Sequence, residues 1–295
     1  QTIENIPYYS GVYGTKFYAN NAEVRNQGFD LSLDFGHQFN RDFSMTFKGT
    51  FTYAHNEIRK YNESYGDYPN LSKVGYSVSQ QWGYLSDHLF VDQTEIDNSP
   101  GQLVGGFVGP GDIKYVNVPN RYGKYDGVID QNDRVPLGDP TTPEIVYGFG
   151  PSFRWKGWDF SFFFQGVAKT SLFMSNLQPF GEGFVRNLQT FIAENHWSPD
   201  NQNIHATYPR LTAIENKNNS QTSLYWMRDG DFLKLKNMEL GYTYKSMRFY
   251  LRGSNLLTFS KFDLWDPEQG GGNGLKYPTQ RVFNIGFQMT INGKR

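Results

Sequence analysis

The sequence predicts an all-β protein: about seven antiparallel transmembrane strands that form the carboxyl-terminal part of a larger outer-membrane β-barrel, with long extracellular loops. Three observations support this prediction. Apolar and polar residues alternate along seven segments of the 295-residue chain. One parity carries more large apolar side chains than a small barrel interior can hold, and the connections alternate between very short and very long.

Residues 43–55, FSMTFKGTFTYAH, show the alternation most clearly. The large apolar residues share one parity, and serine, threonine and lysine occupy the other. A period of two is typical of a β-strand with one apolar and one polar face. The same pattern predicts seven strands, near residues 24–38, 42–57, 144–155, 158–169, 231–244, 247–259 and 280–291.

The fifth of these segments contains one irregularity. Its apolar residues change parity between Leu235 and Met238. An extra residue inserted into one strand of an antiparallel pair changes the parity in this way, so the sequence predicts a β-bulge near Lys236 or Asn237.

The apolar faces of the seven strands need a partner surface. About five large apolar residues per strand give roughly 35 side chains, each worth about 1.5–3 kcal/mol when removed from water. The interior of an eight-stranded barrel holds only about a dozen side chains. The opposite face carries charged residues such as Asp30, Lys48 and Arg154, as a wet lumen would. The pattern therefore favours a lipid-facing apolar surface, and a soluble β-sandwich, in which two apolar faces pack together, stays open as the alternative.

The connections between the predicted strands differ strongly in length. Three are short, near residues 37–42, 156–157 and 244–247. They alternate with three long loops, near residues 58–143, 171–230 and 260–279. Outer-membrane barrels combine short periplasmic turns with long extracellular loops. The short turns are flanked by aromatic residues, as an interfacial girdle would be: Phe39, Trp155, Trp158 and Tyr244.

Seven strands do not close a barrel of this kind. Bacterial outer-membrane barrels have an even number of strands, and an open edge in lipid leaves backbone groups without hydrogen bonds. The sequence therefore predicts that further strands complete the barrel, either from a preceding segment of the same polypeptide or from a separate chain.

Charge and residue usage argue against several functions. A formal net charge of −1 gives no basic surface for nucleic acid, and a chain without cysteine has no thiolate metal site. The five histidines show no H-E-x-x-H spacing, and no G-x-S-x-G motif occurs. Asp229 and Asp231 are a candidate glycosidase pair, but two carboxylates before a strand are more typical of a solvated turn. No enzymatic activity is predicted.

Seven blocks of sequence carry a resemblance to a known family. They are GYLSDHLF (83–90), GDIKY (111–115), DGVIDQNDRVPLGDPTTPEIVYGFG (126–150), HWSPDN with YPRL (196–201 and 208–211), YWMRDGDFLKLKNMELGY (225–242), LRGSNLLTFSKFDLWDPE (251–268) and YPTQRVFNIGFQMTI (277–291). In this order they resemble SusC/RagA-type TonB-dependent transporters, over nearly the whole chain.

The resemblance implies a 22-stranded barrel filled by an amino-terminal plug, of which this chain would form roughly the last third. It also implies import of oligosaccharides or peptides across the outer membrane of a Gram-negative bacterium, with the loops at the cell surface. The implied partners are the amino-terminal strands and plug, a SusD-like surface lipoprotein that acts as a lid, TonB acting through the plug, and surrounding lipid and lipopolysaccharide.

One block resembles a calcium loop. In the family, a stretch similar to D-V-N-G-D-G-V-I-D-x-N-D follows GDIKY, and EF-hand loops carry ligands at fixed, mostly alternate positions. Counting Asp126 as the fifth position leaves Asp130 and Asp133 at ligand positions, whereas Asn117 or Asp112 would have to fold back to supply the first. We therefore expect a Ca²⁺ site at Asn117, Asp126, Asp130 and Asp133, or alternatively a tight turn at Asp126 with solvated carboxylates. No other cofactor is expected.

Aromatic residues in the predicted external loops are candidates for contact with substrate or with the lid. They are Trp82, Tyr84, Trp197, Trp226 and Trp265. Flat aromatic faces near aspartate and asparagine suit stacking on sugars, and exposed apolar side chains suit the docking of a protein. The alternative is that these side chains pack the loops against each other.

The sequence therefore predicts that the chain is part of an importer. The other possibilities are a soluble carbohydrate-binding β-sandwich or a surface hydrolase carried on a barrel.

Overall fold

The computed structural model describes residues 2–5, 16–19, 22–181 and 184–291. Seven long strands dominate the described chain: β1 (Glu23–Gln38), β2 (Phe43–Lys60), β3 (Ile145–Trp155), β4 (Trp158–Ala168), β5 (Phe232–Tyr244), β6 (Met247–Ser260) and β7 (Val282–Met289). The two short α-helices are α1 (Gln93–Asp97) and α2 (Thr190–Glu194).

The remaining elements are short. Strands of two to four residues cover Thr2–Asn5, Lys16–Ala19, Gln81–Gly83, Ser86–Leu89, Gly101–Gln102, Ile113–Tyr115, Val128–Ile129, Val135–Leu137, Ser171–Phe173, Phe180–Gly181, Phe184–Val185 and Met227–Asp229. Single turns of 3₁₀-helix cover Pro69–Leu71, Gln131–Asp133, Leu224–Trp226 and Pro267–Gln269. Within the described ranges, no helix has both the length and the apolar character needed to cross a bilayer.

β1 to β7 form one antiparallel sheet in which each strand pairs with its neighbours in sequence, from β7 at one edge to β1 at the other. The prediction of seven antiparallel strands is confirmed, and each strand begins and ends within three residues of its expected position. In such a meander every second connection lies at the same end of the sheet. The three short turns therefore share one end, and the three long connections leave from the other.

The short turns have local causes. Between β1 and β2, the side-chain oxygen of Asn40 accepts hydrogen bonds from the backbone N–H groups of Asp42 and Phe43, each at 2.9 Å. The two other turns contain two residues each and place Lys156 and Lys245 at φ 51°. Two-residue hairpins need this left-handed conformation because it matches the twist of the flanking strands.

The predicted bulge in β5 is confirmed. On the β4 side, Phe163 pairs with Asn237 whereas Phe164 pairs with Leu235, so Lys236 has no opposite residue. The register with β6 shifts at the same place, between Leu235 and Asn237. Because of this extra residue, the apolar side chains before and after the bulge lie on the same face of the sheet although their parity in the sequence differs.

The two faces of the sheet differ in chemistry, and neither face packs against a hydrophobic core among the described residues. Many large apolar side chains of one parity are exposed, for example Phe29 at 58%, Leu31 at 59% and Phe287 at 56%, and others are half-buried. On the polar face, Arg248 of β6 bonds Asp159 of β4 and donates from Nη2 to Glu239 of β5 at 2.7 Å. Among the described residues, the seven strands contribute only Ile58 and Leu235 to the buried apolar set.

By its internal contacts the chain divides into two units. The loop unit comprises Gln1–Gln27, His55–Pro140 and Asn176–Met227, and the sheet unit comprises Gly28–Ala54, Thr141–Ser175 and Arg228–Arg295. The loop unit has a hydrophobic core of its own, which includes Leu89, Phe90, Ile113, Ile129 and Ile192, each at most 1% exposed. The first two long connections were expected as loops without sustained alternation, and the structure instead folds them around this core.

The exposed apolar face generates a prediction for membrane insertion. Phe47 shares the parity of Phe43 and Phe51, and a cation at the lipid face costs about 2–4 kcal/mol near the bilayer midplane. We expect Phe47→Arg to reduce the amount of the protein recovered in membrane fractions several-fold. Thr50→Arg is the matched control, since Thr50 lies on the opposite face of the same strand, where its Oγ1 is 3.5 Å from the carbonyl oxygen of Gly148. Equal levels of both variants in membrane fractions would contradict the assignment of the lipid face.

Candidate functional site

A buried carboxylate organises the loop unit. Asp112, in the GDIKY block, is 0% exposed. It accepts four hydrogen bonds of 2.8 Å: from the backbone N–H of Gly109, from Nε and Nη2 of Arg210, and from Nδ2 of Asn219. A bidentate guanidinium and two neutral donors satisfy the carboxylate away from water. Two sequence blocks that are 98 residues apart, GDIKY and YPRL, therefore meet at this point.

Trp197 packs beside this carboxylate. Gly111 has φ +82°, and a Cβ at this position would lie 2.2 Å from Cε3 of the Trp197 indole. Only glycine combines this backbone conformation with this close approach. Trp197 is 6% exposed, and its Nε1–H has no acceptor among the described residues. The structure gives Trp197 a packing position, whereas its contact with substrate or lid stays a prediction.

Tyr84 and Trp226 are also core residues of the loop unit. The Tyr84 ring lies 5.0 Å from that of Tyr115 and is 1% exposed. Trp226 donates from Nε1 to the carbonyl oxygen of Asn219 at 2.7 Å and stacks edge-on against Tyr225. These contacts correspond to the packing alternative, in which the loop aromatics hold the loops together.

Trp82 and Trp265 keep part of their surface accessible. Trp82 donates from Nε1 to the carbonyl oxygen of Asn70 at 3.1 Å, and its ring meets Tyr76 edge to face. Trp265, in the sheet unit, donates to the carbonyl oxygen of Gly270 at 3.0 Å and packs edge-on against Phe262. Both indoles are held by their N–H groups, so each presents a fixed, partly exposed face. Of the five aromatic candidates, these two fit a ligand contact best.

The structure exposes other loop aromatics that the sequence reasoning missed. Phe107 is 74% exposed, and Tyr122 and Tyr125 are 67% and 66% exposed. Tyr122 and Tyr125 lie in the stretch PNRYGKY, which interrupts the family pattern between GDIKY and Asp126. The sequence did contain a signal for these exposed rings. It is an insertion in which two tyrosines lie next to a glycine, an arginine and a lysine.

The predicted calcium ligands are partly brought together. Asn117 does fold back, because its Nδ2 donates to Oδ1 of Asp126 at 3.4 Å. Asp112, the other candidate for the first position, is engaged by Arg210 instead. Asp133 accepts backbone N–H groups at both oxygens, from Val118 and Asp130, each at 2.7 Å. Within the described part of the chain, no three His, Cys, Asp or Glu side chains are arranged to hold a metal ion by themselves.

One buried oxygen atom at this point has no hydrogen-bond donor among the described residues. This atom is Oδ1 of Asn117, whereas Nδ2 of the same amide donates to Oδ1 of Asp126 at 3.4 Å. Amide and carboxylate oxygens are hard donors of the kind that Ca²⁺ prefers. Both oxygens of Asp130 accept hydrogen bonds from Asn132, so the Ca²⁺ site at Asn117, Asp126, Asp130 and Asp133 stays a prediction.

Asp229 and Asp231, the candidate hydrolase pair, lie on either side of Gly230, where the short strand Met227–Asp229 leads into β5. Asp229 accepts the backbone N–H of Asp231 at 2.9 Å and pairs with Lys261 at 3.0 Å. Burial works to raise the pKa of the Asp229 carboxyl, but these two contacts more than offset it and lower the pKa. A general acid needs a raised pKa, so the structure offers no support for acid catalysis by Asp229.

A buried lysine anchors the third long connection. Lys234 of β5 is 1% exposed, and its Nζ donates to Asp266 at 2.6 Å and to Glu268 at 2.8 Å. Glu268 also pairs with Lys236, the bulge residue. A charge this deeply buried needs such partners. The bulge and the ion pairs together hold the Asp266–Glu268 segment, and with it Trp265, against β5.

Removal of the Asp112 carboxylate tests the organisation of the loop unit. Asp112→Ala leaves the Arg210 guanidinium partly buried without its partner, and breaking a buried pair costs about 3–5 kcal/mol. We expect proteases to attack the loop unit at a temperature well below that of the wild type. Asp67→Ala is the control, because Asp67 and Arg121 are half exposed and 3.9 Å apart, and such pairs contribute about 0–1 kcal/mol. Equal protease resistance of the two variants would contradict the role of Asp112.

Acid should release the Asp266–Glu268 segment. Burial works to raise the pKa of both carboxyls, but the hydrogen bonds from Lys234 lower both. Their contribution to stability is therefore complete above the unfolded-state values of about 4 and is lost as the pH falls through the lower folded-state values. We expect amide exchange in residues 261–279, corrected for its intrinsic pH dependence, to stay slow from pH 7 to about pH 5 and to accelerate below about pH 4. In Lys234→Met the exchange should already be fast at pH 7, and a variant with slow exchange would refute the anchor.

Comparisons with known proteins agree with the fold. No protein-family model matches the chain. TonB-dependent receptor P26 of Formosa agariphila is 32% identical over 245 residues, which is 74% of this chain and 23% of that protein. TonB-dependent receptor P3 of the same organism is 27% identical over 314 residues, which is 96% of this chain and 30% of that protein. The chain thus spans less than a third of the length of these relatives.

Solved structures show the same architecture. The structure of the RagAB peptide transporter matches with a TM-score of 0.65 and 21% identity, over 96% of this chain and 31% of that one. The RagAB peptide importer in its open-open state matches with a TM-score of 0.67 over 97% of this chain and 30% of that one. The shared sequence, the seven-stranded sheet and the matching barrel structures identify the chain as the carboxyl-terminal part of a TonB-dependent receptor of the SusC/RagA type.

Proposed function

We propose that the chain is part of a TonB-dependent importer of oligosaccharides in the outer membrane of a Gram-negative bacterium, with peptides as the second candidate substrate class. The observation that carries this proposal is the sheet with one exposed apolar face and one charged face. An apolar face of seven long strands is stable in lipid, and a charged face is stable in a water-filled lumen. The family of the chain supports the same conclusion.

The chain supplies wall and external surface rather than moving parts. β1 and β7 form the two edges of the sheet, and an edge exposed to lipid would leave backbone groups unsatisfied. Amino-terminal strands therefore pair with these edges, and the plug that engages TonB fills the lumen. Lipid and lipopolysaccharide surround the apolar face.

The loop unit is the part of the chain suited to recognition. Its buried carboxylate and packed aromatics make it a rigid support, and rigid supports bind without a large cost in ordering. Trp82, Phe107, Tyr122 and Tyr125 present accessible rings on this support. Such rings suit stacking on sugar faces and contact with a SusD-like lipoprotein lid at the cell surface.

We rank oligosaccharides above peptides as the substrate class because of the chemistry of the exposed tyrosines. Tyr122 and Tyr125 combine an exposed ring with a hydroxyl group, as sugar-binding surfaces do, and they lie in a stretch stabilised by Asn120, whose Oδ1 accepts the backbone N–H groups of Tyr122 and Lys124. The RagAB structures are those of a peptide transporter, and this keeps peptides as the competing class.

The two other functional classes lack support. A β-sandwich needs two packed sheets, whereas β1 to β7 form a single sheet. A surface hydrolase needs converging catalytic groups, whereas the Asp229 carboxylate pairs with Lys261 and accepts the backbone N–H of Asp231. The relatives are receptors and a transporter.

Uptake measurements test the proposal. Cells that produce the receptor should take up labelled oligosaccharide in a TonB-dependent manner, and the detergent-extracted receptor should co-purify with a surface lipoprotein. The double variant Tyr122→Ala and Tyr125→Ala should reduce uptake several-fold at an unchanged receptor level, because loss of an aromatic stacking contact weakens binding. Tyr244→Ala, at the turn end of the sheet, is the control.

Three outcomes separate the alternatives. Uptake of peptide but not of oligosaccharide would reverse the order of the two substrate classes. Recovery of the chain in the aqueous fraction would refute the membrane location. Uptake that continues at full rate without TonB would refute TonB as the energy source of import.

A further inference from the structure

The third long connection folds back over the polar face of the sheet. Lys234 alternates with apolar residues of β5 and therefore lies on the polar face. Its Nζ donates to Asp266 and Glu268, which belong to the connection. Phe262, near the start of the connection, is only 5% exposed. Since the polar face lines the lumen of the proposed barrel, the connection covers part of the lumen side of the sheet.

A cavity of about 350 Å³ lies between the connection and this face. Lys234 and Thr258 line it from the strands, and Asp263, Trp265, Thr279 and Arg281 line it from the connection. All of these residues belong to the sheet unit. Ligand pockets commonly measure about 300–1,000 Å³, so a cavity of this size suits one small ring rather than several.

Two charged side chains at the cavity have no protein partner. Asp263 and Arg281 are exposed, and the side chain of neither makes a hydrogen bond or an ion pair with a described residue. The other two charged groups of the lining, Lys234 and Asp266, bond each other at 2.6 Å. A ligand in the cavity therefore meets one free carboxylate, which only accepts hydrogen bonds, and one free guanidinium, which only donates them.

The Trp265 indole is held in a fixed position at the same cavity. Its Nε1 donates to the carbonyl oxygen of Gly270 at 3.0 Å, and its ring packs edge-on against Phe262. Gly274 has φ +68°, and a Cβ at this position would lie 2.6 Å from Cε3 of the indole. These contacts fix the ring before any ligand arrives, so little freedom is lost when a ligand packs against it.

The free groups of the cavity favour one kind of ligand. A sugar hydroxyl both donates and accepts, so one ring can donate to Asp263 and accept from Arg281 while its C–H groups pack on Trp265. A polyanion would meet the charge of Asp263, and a polycation would meet that of Arg281. Each of these charged ligands would therefore be disfavoured by an unpaired like charge.

We propose that this cavity is a subsite for one neutral sugar residue of the imported oligosaccharide. Asp263 and Arg281 form its polar contacts, and Trp265 is its packing surface. The subsite rests on the proposed import of oligosaccharides, and it adds a position in the sheet unit to the exposed tyrosines of the loop unit. Peptides carry one amino and one carboxylate terminus, which match the same two charges, so peptides are the competing outcome of the test.

Amide exchange in the detergent-extracted receptor, with its co-purifying chains, locates the subsite. The probes are neutral hexasaccharides of glucose, mannose, galactose and xylose, with hexagalacturonate as the acidic probe and dialanine and tetra-alanine as the peptides. A ligand at about ten times its Kd should slow exchange through local opening about tenfold. We expect a neutral hexasaccharide to have this effect in residues 261–281 and no effect at the turn of residues 155–158.

Variants assign the effect to the two free charges. The double variant Asp263→Ala and Arg281→Ala should raise the Kd of the protecting hexasaccharide about tenfold or more, because two hydrogen bonds to charged groups are lost. Both side chains are exposed and unpaired, so the connection should stay folded. Asp34→Ala with Lys48→Ala is the matched control, since it removes an exposed acid and base 3.7 Å apart elsewhere in the sheet unit, and it should leave the Kd unchanged.

The outcomes separate the subsite from the proposed function. Binding of a hexasaccharide without protection of residues 261–281, or with equal Kd in the two double variants, would overturn the subsite and leave oligosaccharide import intact. Protection by hexagalacturonate alone or by the alanine peptides alone would overturn the assignment to a neutral sugar. Failure of every hexasaccharide to bind would overturn the subsite, and the uptake assay then decides separately whether oligosaccharide import stands.

Discussion

Backbone hydrogen bonding is the constraint on which the seven-stranded sheet depends. In an apolar environment every strand N–H and C=O group needs a protein partner. β1 to β7 meet this requirement by antiparallel pairing with their neighbours in sequence, and among the described residues the outer edges of β1 and β7 pair with no further strand. The bulge at Lys236 keeps the ladder continuous on both sides while it corrects the apolar parity. The two edges therefore define where the rest of a barrel attaches.

The loop unit is stabilised on a different principle. Its segments are too short for regular sheets, so buried polar groups join them across large distances in sequence. Asp112 joins the GDIKY, YPRL and Asn219 segments through four hydrogen bonds, and Trp197 closes over Gly111 beside it. Low dielectric strengthens such a network and makes each unsatisfied member costly.

The sequence predicted the sheet well because a strict period of two leaves little ambiguity in face or register. The parity change between Leu235 and Met238 was sufficient to locate the bulge. The loop unit was not predictable in the same way, since the pairing of Asp112 with Arg210 depends on a long-range contact with no local signal. Of the aromatic candidates, Tyr84, Trp197 and Trp226 are buried, and composition alone does not distinguish a packed indole from a presented one. The return of Asn117 to Asp126 required the geometry of the intervening turn.

The two-residue turns at one end of the sheet have a consequence for how such chains diverge. A turn such as Lys156–Gly157 fixes both its length and its backbone conformation, so an inserted residue there would shift the register of the whole hairpin. At the opposite end, chain length is unconstrained by register, and closing a longer loop costs only about 0.6 kcal/mol per doubling of its length. Insertions such as PNRYGKY can therefore lengthen the long connections while the strands of the sheet keep their register. The end of the sheet with the two-residue turns is therefore constrained in length, and the end with the long connections is free to vary.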